Sequence, residues 1–330
     1  MPSEHALLVL SAADVRELFI IDLAIESQRT AFEELGRGRA MLSARLLIDG
    51  GQDSISFCYA ARLAPDSGAV CKFGSVNPAN ASLGLPTISA LITVLDAVDG
   101  RPVAIMDGTA VTTIRTSAAS AVAVQALANP HSTSLAILGT GVQAEAHVRA
   151  ISRVLALTSV RIWGIDTEIC AALVHSLGKE YPFEVTQAVT AEQAVRDADV
   201  VACCTTSFEP IIETNWLREG TLVISIGSFA PNRFEVPQDL LTRADAVVVD
   251  HVDTAIEHAG PIAAALSSGL LAKAQIISLG EVIAGLKRAR NKPSDILYYN
   301  SVGIGVQDAA AAVVIVDAAR ASGRGEWVSL

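Results

Sequence analysis

Hydrophobic and polar positions follow two different rhythms along the chain. Over residues 14–35 apolar side chains recur at helical spacing, and residues 44–48 then read as a strand entering an Asp49-Gly50-Gly51 turn. Short β-like runs follow at 54–59, 69–73, 88–96 and 102–107, so the first part of the chain reads as α+β. The texture changes at Thr116. A helix of small residues over 117–127 closes at Asn129-Pro130. Beyond it, strands at 134–138, 159–164, 200–205, 222–226 and 246–249 alternate with helices at 143–155, 167–177 and 191–197. These strands are continuously apolar, as expected of a parallel sheet covered on both faces, which predicts an α/β, Rossmann-type parallel-sheet domain. A last apolar helix over 309–321 is long enough to reach back onto the first domain.

Composition narrows the function classes. The chain has 330 residues, more than one hydrophobic core usually serves, so two domains are expected. It is 51% apolar and 18% charged, with no uncharged apolar run long enough to span a bilayer, so no membrane partner is expected. Glu4 and Asp14 sit where a secretory leader would have a basic start and an apolar stretch, which makes a cytoplasmic location the expectation. The net charge of −11 and scattered basic residues speak against nucleic acid. The one basic cluster, Lys287, Arg288, Arg290 and Lys292, reads as a solvated loop. Cys58, Cys71, Cys170, Cys203 and Cys204 show no metal spacing and read as reduced, mostly buried thiols.

The strongest chemical signal is Leu135-Ala-Ile-Leu-Gly139-Thr140-Gly141-Val142-Gln143-Ala144, a strand, a Gly-x-Gly-x-x-Ala turn and a helix start. Gly139 permits the tight turn, Gly141 lets the backbone approach a pyrophosphate, and Ala144 permits close helix packing. The helix start offers free N–H groups to the phosphates. Asp166, after the second strand, lies where a ribose-binding acid is expected, and its alternative role is a helix cap. With no Arg or Lys between Trp163 and Glu168 to take a 2′-phosphate, NAD is favoured, NADP being the alternative. Gly303-Ile-Gly305 reads as a turn near the cofactor; Asp250 stands at the strand end where open α/β sheets bind ligands, its alternative role being a cap of the next helix. His131, His147, His251 and His258 lack a nucleophile setting and read as surface or capping residues.

In the first domain three cations stand in apolar surroundings. Arg45 lies within the 44–48 strand, Lys72 ends the run 69–71, and Arg115 precedes the small-residue helix. Such charges are seldom buried without a partner. An anionic substrate is one such partner; a local carboxylate, for instance Asp107 for Arg115, is the other.

The order of these features resembles the ornithine cyclodeaminase and μ-crystallin family. The likeness is carried by Lys72 with Asn77-Pro78-Ala-Asn80, Leu83-Gly-Leu-Pro86-Thr87, Gly100-Arg-Pro102, Met106-Asp-Gly108 and Thr112-Thr-Ile-Arg115-Thr116-Ser-Ala118-Ala119. It continues through Gly139-Thr-Gly141-Val-Gln-Ala144, Ile226-Gly227-Ser-Phe-Ala-Pro231, Leu279-Gly-Glu281 and Ser301-Val-Gly303 with Asp308, and so spans nearly the whole chain. The resemblance implies a homodimer whose N-terminal domain, residues 1–118 completed by 309–330, supplies the dimer contact and the substrate pocket. Residues 119–308 then form the dinucleotide-binding domain. It also implies that Arg45, Lys72 and Arg115 gather the carboxylate of a small amino-acid or imino-acid substrate beneath the nicotinamide. Thr116, Thr205, Gly227, Ser301 and Gly303 join the turn residues as candidate cofactor contacts.

Members of the family include cyclodeaminases, ketimine and Δ1-pyrroline-2-carboxylate reductases, alanine dehydrogenases, opine-type enzymes and non-catalytic crystallins. Cyclodeaminases carry an aspartate where this chain has Phe229, which has no proton to exchange. Unless Asp308 or Glu281 substitutes, a reductase or dehydrogenase is the expectation, one that reduces a small cyclic or open-chain imino acid to an L-amino acid; an ornithine/lysine cyclodeaminase, an alanine/opine-type dehydrogenase and a non-catalytic binding protein are the alternatives. Lys72 is then the candidate proton donor, its pKa lowered by the like charges of Arg45 and Arg115.

Overall fold

The computed structural model describes residues 6–51 and 54–329, so the reading of the N-terminus that rested on Glu4 lies outside the described residues. The chain forms two units, one comprising the chain up to Arg115 and from Ile304 onward, the other Thr116–Gly303.

The first unit opens with β1 (Ala6–Leu10), α1 (Ala12–Leu18) and α2 (Ile21–Gly36). The helical pattern over 14–35 is thus two helices. Ser11 and Asp14 close a capping box at the start of α1, which ends at Phe19. Strands β2 (Met41–Leu42), β3 (Leu46–Gly51), β4 (Ser54–Arg62), β5 (Val70–Val76), β6 (Ile88–Leu95) and β7 (Pro102–Asp107) follow, then α3 (Gly108–Leu127). Two expectations shift here. Arg45 precedes β3 rather than lying in a strand, because Ser43 is tied to the backbone of Ala60 first. Helix α3 begins at Gly108 rather than residue 117, so Arg115 is a helical residue; Asp107 accepts from the Ala110 amide at its start.

Strands β4 to β7 pair antiparallel in sequence order, and β1 joins β7 in parallel. Successive side chains point to opposite faces of such a sheet. One row of direct partners, Tyr59, Lys72, Ile92 and Met106, is buried. The next row faces outward: Leu46, Cys58, Phe73 and Leu91 are partners across β3 to β6, and Leu46, Phe73 and Leu91 are exposed by 56%, 57% and 51%.

The second unit continues with β8 (Ser134–Leu138), α4 (Val142–Ile151), β9 (Ser159–Trp163), α5 (Thr167–Glu180), β10 (Glu184–Gln187), α6 (Ala191–Val195) and β11 (Val200–Cys203). It is completed by β12 (Leu222–Ser225), α7 (Gln238–Arg243), β13 (Ala246–Val249), α8 (Val252–His258), α9 (Gly260–Ser267), β14 (Ile276–Ser278), α10 (Leu279–Ile283) and β15 (Leu297–Asn300). All eight strands are parallel, in the order β10-β9-β8-β11-β12-β15-β13-β14. The apolar runs read as covered strands are buried at every position in β11, β12 and β13, and so is β15, which the sequence reading did not mark as a strand. Strand order reverses between β8 and β11, and ligands of such sheets bind beyond the carboxyl ends of the strands at that point.

His147 is not a surface residue. It is buried in this unit, with Nε2 2.8 Å from Ser120 Oγ and Nδ1 2.7 Å from the Gln143 carbonyl oxygen, and burial lowers its pKa to about 4. Nor is Arg290 part of a solvated loop, since it donates to the carbonyls of Leu127, Asp295 and Gly220.

The chain then returns to the first unit as α11 (Gly305–Ser322) and β16 (Glu326–Ser329), the latter antiparallel to β1. A Cβ on Gly305 would meet the Ala61 Cβ at 3.0 Å and the Tyr59 ring at 3.1 Å, so glycine lets the start of α11 press onto β4. Among the described residues no helix is long and apolar enough to cross a membrane.

Candidate active site

In the first unit three elements converge on one carboxylate, that of Asp308 in α11. Lys72, from the buried face of β5, donates from Nζ to Asp308 Oδ1 at 2.9 Å and also to Thr112 Oγ1 of α3. Arg115, one turn further along α3, brings Nε within 3.4 Å of the same oxygen and donates from Nη1 to Gln307 Oε1 at 2.9 Å. Tyr59 of β4 donates its hydroxyl to Asp308 Oδ2 at 3.0 Å. The Arg45 guanidinium lies 5.5 Å from the centre of the Tyr59 ring. Lys72, Arg115 and Asp308 are all nearly devoid of solvent contact.

Burial pushes the Lys72 ammonium down to about 8; Asp308 opposes that shift, and the charges of Arg115 and Arg45 add to it. The expected direction therefore stands on a different main cause, desolvation rather than like charge. Burial raises the Asp308 carboxyl, but Arg115, Lys72 and the hydrogen bonds it accepts outweigh this and hold it below the usual carboxylate value. Lys72 and Arg115 thus have an internal counter-ion. The carboxylate beside Arg115 is thus Asp308 of α11, while Asp107 accepts from the Ala110 amide.

Sequence reading passed over Tyr59, Thr112 and Gln307. A signal for Gln307 was present, because Gln307-Asp308 is a polar pair in the first turn of a helix that runs on apolar from Ala309 to Val316.

The second unit carries the glycine turn. Gly139 has φ +120°, and a Cβ there would lie 2.5 Å from the Cys204 carbonyl oxygen, so its glycine is required by the turn itself. Gly141 differs: its φ is −81°, and an added Cβ would meet no protein atom within 4 Å. Fold and packing do not require glycine there, whereas a group lying against the backbone would. Gly141 starts α4, which no side chain caps, and Val142 and Gln143 form its first turn, with Gln143 Oε1 buried and unbonded. Thr140 packs against Gly164. These features fit a dinucleotide diphosphate.

Asp166 caps α5, Oδ1 accepting from the amides of Glu168 and Ile169 at 3.0 Å each. Thr116 is buried within α3. Thr205 and Gly227 follow the ends of β11 and β12 and are held by Glu235, an acid that sequence reading missed. Ser301 and Gly303 follow β15. Asp250 does not cap α8, a role taken by His251; its Oδ2 instead accepts from the amides of Val302 at 2.9 Å and Gly303 at 2.7 Å. Glu281 is engaged by the Ser278 amide and by Lys287. Phe229 packs against the core of this unit with the Arg233 guanidinium 5.3 Å from its ring centre.

Comparison with known proteins places these features in context. The model of the ornithine cyclodeaminase/mu-crystallin family matches residues 5–323. An alanine dehydrogenase of Archaeoglobus fulgidus is 30% identical over 311 residues, 94% of each chain. The structure of a Δ1-pyrroline-2-carboxylate reductase of Thermococcus litoralis in complex with NADH and L-proline superposes with a TM-score of 0.93 at 29% identity, covering 97% of this chain and 100% of that one. An archaeal alanine dehydrogenase dimer with bound NAD gives the same TM-score and identity, over 98% and 99% of the two chains.

Proposed function

The chain belongs to the ornithine cyclodeaminase/mu-crystallin family, and we propose that within it the protein is an NADH-dependent oxidoreductase that reduces a small imino acid to an L-amino acid. The observation that carries reduction over cyclodeamination is the state of the acids. By the resemblance Phe229 stands where the family's cyclodeaminases have aspartate, and the two acids that could substitute for it are both already bonded. Asp308 is engaged by Lys72, Arg115 and Tyr59, and Glu281 by Ser278 and Lys287. Relatives named as reductase and dehydrogenase support the same reading.

When bound, NADH supplies the hydride that reaches C2 of the imine, whose nitrogen gains a proton. The chain's own residues do the rest. Arg45 and Arg115 orient the substrate carboxylate, Asp308 fixes Lys72, and the Lys72 ammonium delivers the proton to nitrogen. Its pKa near 8 keeps most of the ammonium protonated at neutral pH. Gly139, Thr140, Gly141, Val142 and Gln143 hold the diphosphate, with Thr116, Thr205, Gly227, Ser301 and Gly303 as further contacts. Asp166 retains Oδ2 for ribose hydroxyls and repels a 2′-phosphate, which selects NAD over NADP.

The outward row of Leu46, Phe73 and Leu91 supports a homodimer, since an apolar sheet face of this kind is normally covered. A dimer is also named for one relative.

NADH oxidation followed with pyrroline-2-carboxylate, piperideine-2-carboxylate, and pyruvate with and without ammonia tests the reading. Turnover of a cyclic imine without ammonia marks a ketimine reductase; turnover only of pyruvate with ammonia marks an alanine dehydrogenase. Ammonia release from ornithine without net NADH change overturns both.

A further inference from the structure

In the second unit a buried carboxylate lies beside the expected dinucleotide site, and no step of the proposed reaction uses it. Glu235 is fully buried. Its Oε1 accepts from the Thr205 amide at 2.6 Å and the Thr205 hydroxyl at 2.8 Å, while Oε2 accepts from the Ser225 hydroxyl and the Gly227 amide, both at 2.7 Å. Its own amide donates to Ser228 Oγ at 3.0 Å. Two amides and two hydroxyls, all neutral, thus satisfy an acid whose pKa is raised by burial against the pull of those same bonds. Apolar side chains would close a core at lower desolvation cost, so a fully buried, hydrogen-bonded acid calls for a reason beyond stability.

The reason lies in what it fixes. Thr205 follows β11 and Gly227 follows β12, neighbouring parallel strands on the far side of the strand-order reversal from β9 and β10. In such sheets one half receives each mononucleotide, and Asp166 after β9 marks the adenosine half. A Cβ on Gly227 would lie 1.9 Å from Thr205 O and 2.7 Å from Glu235 Oε1, so the three segments are in close contact.

We propose that Glu235 is the positioning residue of the nicotinamide half of the dinucleotide site, holding residues 205 and 227 where they receive that half of the cofactor. The inference rests on the reading that this unit binds NADH. It separates the two ends of the cofactor: loosening Glu235 weakens binding of the whole dinucleotide and leaves the adenosine end untouched.

The test compares Kd for NADH, from its fluorescence, with Kd for AMP, from displacement and calorimetry, in wild type, Glu235→Gln and Ser225→Ala. The glutamine variant keeps one acceptor oxygen but turns an amide NH₂ toward the donors. The alanine variant removes one donor from the set and serves as the test if Glu235→Gln does not fold. The expected result is a rise of about tenfold in the NADH Kd for Glu235→Gln, equivalent to about 1.4 kcal/mol. A smaller rise is expected for Ser225→Ala, with AMP changed less than about twofold in both. Equal weakening of NADH and AMP would show a merely structural role and overturn the proposal, as would unchanged NADH binding in folded variants. Failure of wild-type protein to bind NADH would instead overturn the cofactor reading itself, and this inference with it.

Discussion

Tyr59 and Lys72 face each other as direct partners on adjacent antiparallel strands, and each donates to a different oxygen of Asp308, at 3.0 Å and 2.9 Å. A lysine in an otherwise apolar row is thus fixed by an acid 236 positions later in the chain, and the pair sets where its proton resides.

Lys72→Ala should lower kcat by about 100-fold or more, the usual contribution of a positioned proton donor. The protonated amine is the active form, so wild-type kcat/KM should fall as pH rises through about 8. Asp308→Asn removes the charge that opposes the fall in Lys72 pKa, so this alkaline limb should move to lower pH. The same change should destabilise the fold by about 3–5 kcal/mol, since it removes the carboxylate shared by two buried cations. pH–rate profiles and urea melts of both variants check this.

Gly139→Ala and Gly141→Ala should separate folding from binding. At Gly139 the added Cβ meets φ +120° and the Cys204 carbonyl, so a loss of about 2 kcal/mol or more is expected. At Gly141 the protein offers no clash, so stability should stay within about 1 kcal/mol while NADH affinity falls by about tenfold or more. Thermal melts with and without NADH read both effects.

His147 should make stability depend on pH. Its folded pKa of about 4 lies below the unfolded value of 6.5, so the unfolded chain takes up the proton first. This contribution is complete above about pH 6.5 and is lost as pH falls toward 4, by up to about 3 kcal/mol. In His147→Gln the drop between pH 7 and 4.5, measured by urea unfolding, should be smaller than in wild type.

Phe73→Asp combined with Leu91→Asp should convert a dimer to monomer in sedimentation velocity, with the far-ultraviolet circular dichroism unchanged. Both side chains stand on the outward row and have no place in the buried one.

The parallel sheet was legible because its strands must be apolar on both faces, which leaves uninterrupted runs such as Leu135-Ala-Ile-Leu138 and Val200-Val-Ala-Cys203. The start of α3 was hidden by Val111, Thr112, Thr113 and Ile114, β-branched residues that favour strands, although in the helix the Thr112 and Thr113 hydroxyls bond back to the carbonyls of Gly108 and Thr109. That shift concealed the true partner of Arg115. Sequence order brings Asp107 to mind, but Asp107 caps the helix and the carboxylate comes from α11. Glu235 was equally obscure, and so were the amide partners of Asp250, since accepting main-chain amides leaves no periodicity in sequence. The identity of such an acid is set by loops closing in three dimensions.

The most direct measurement follows the hydrogen itself. Incubation of the protein with NADH deuterated at both C4 positions and a cyclic or open-chain imino acid, followed by NMR of the product, should place one deuterium at C2 of an L-amino acid for each NADH oxidised. Products carrying no deuterium at C2, or ammonia released from a diamino acid with the NADH pool unchanged, would contradict reduction as the reaction of this protein.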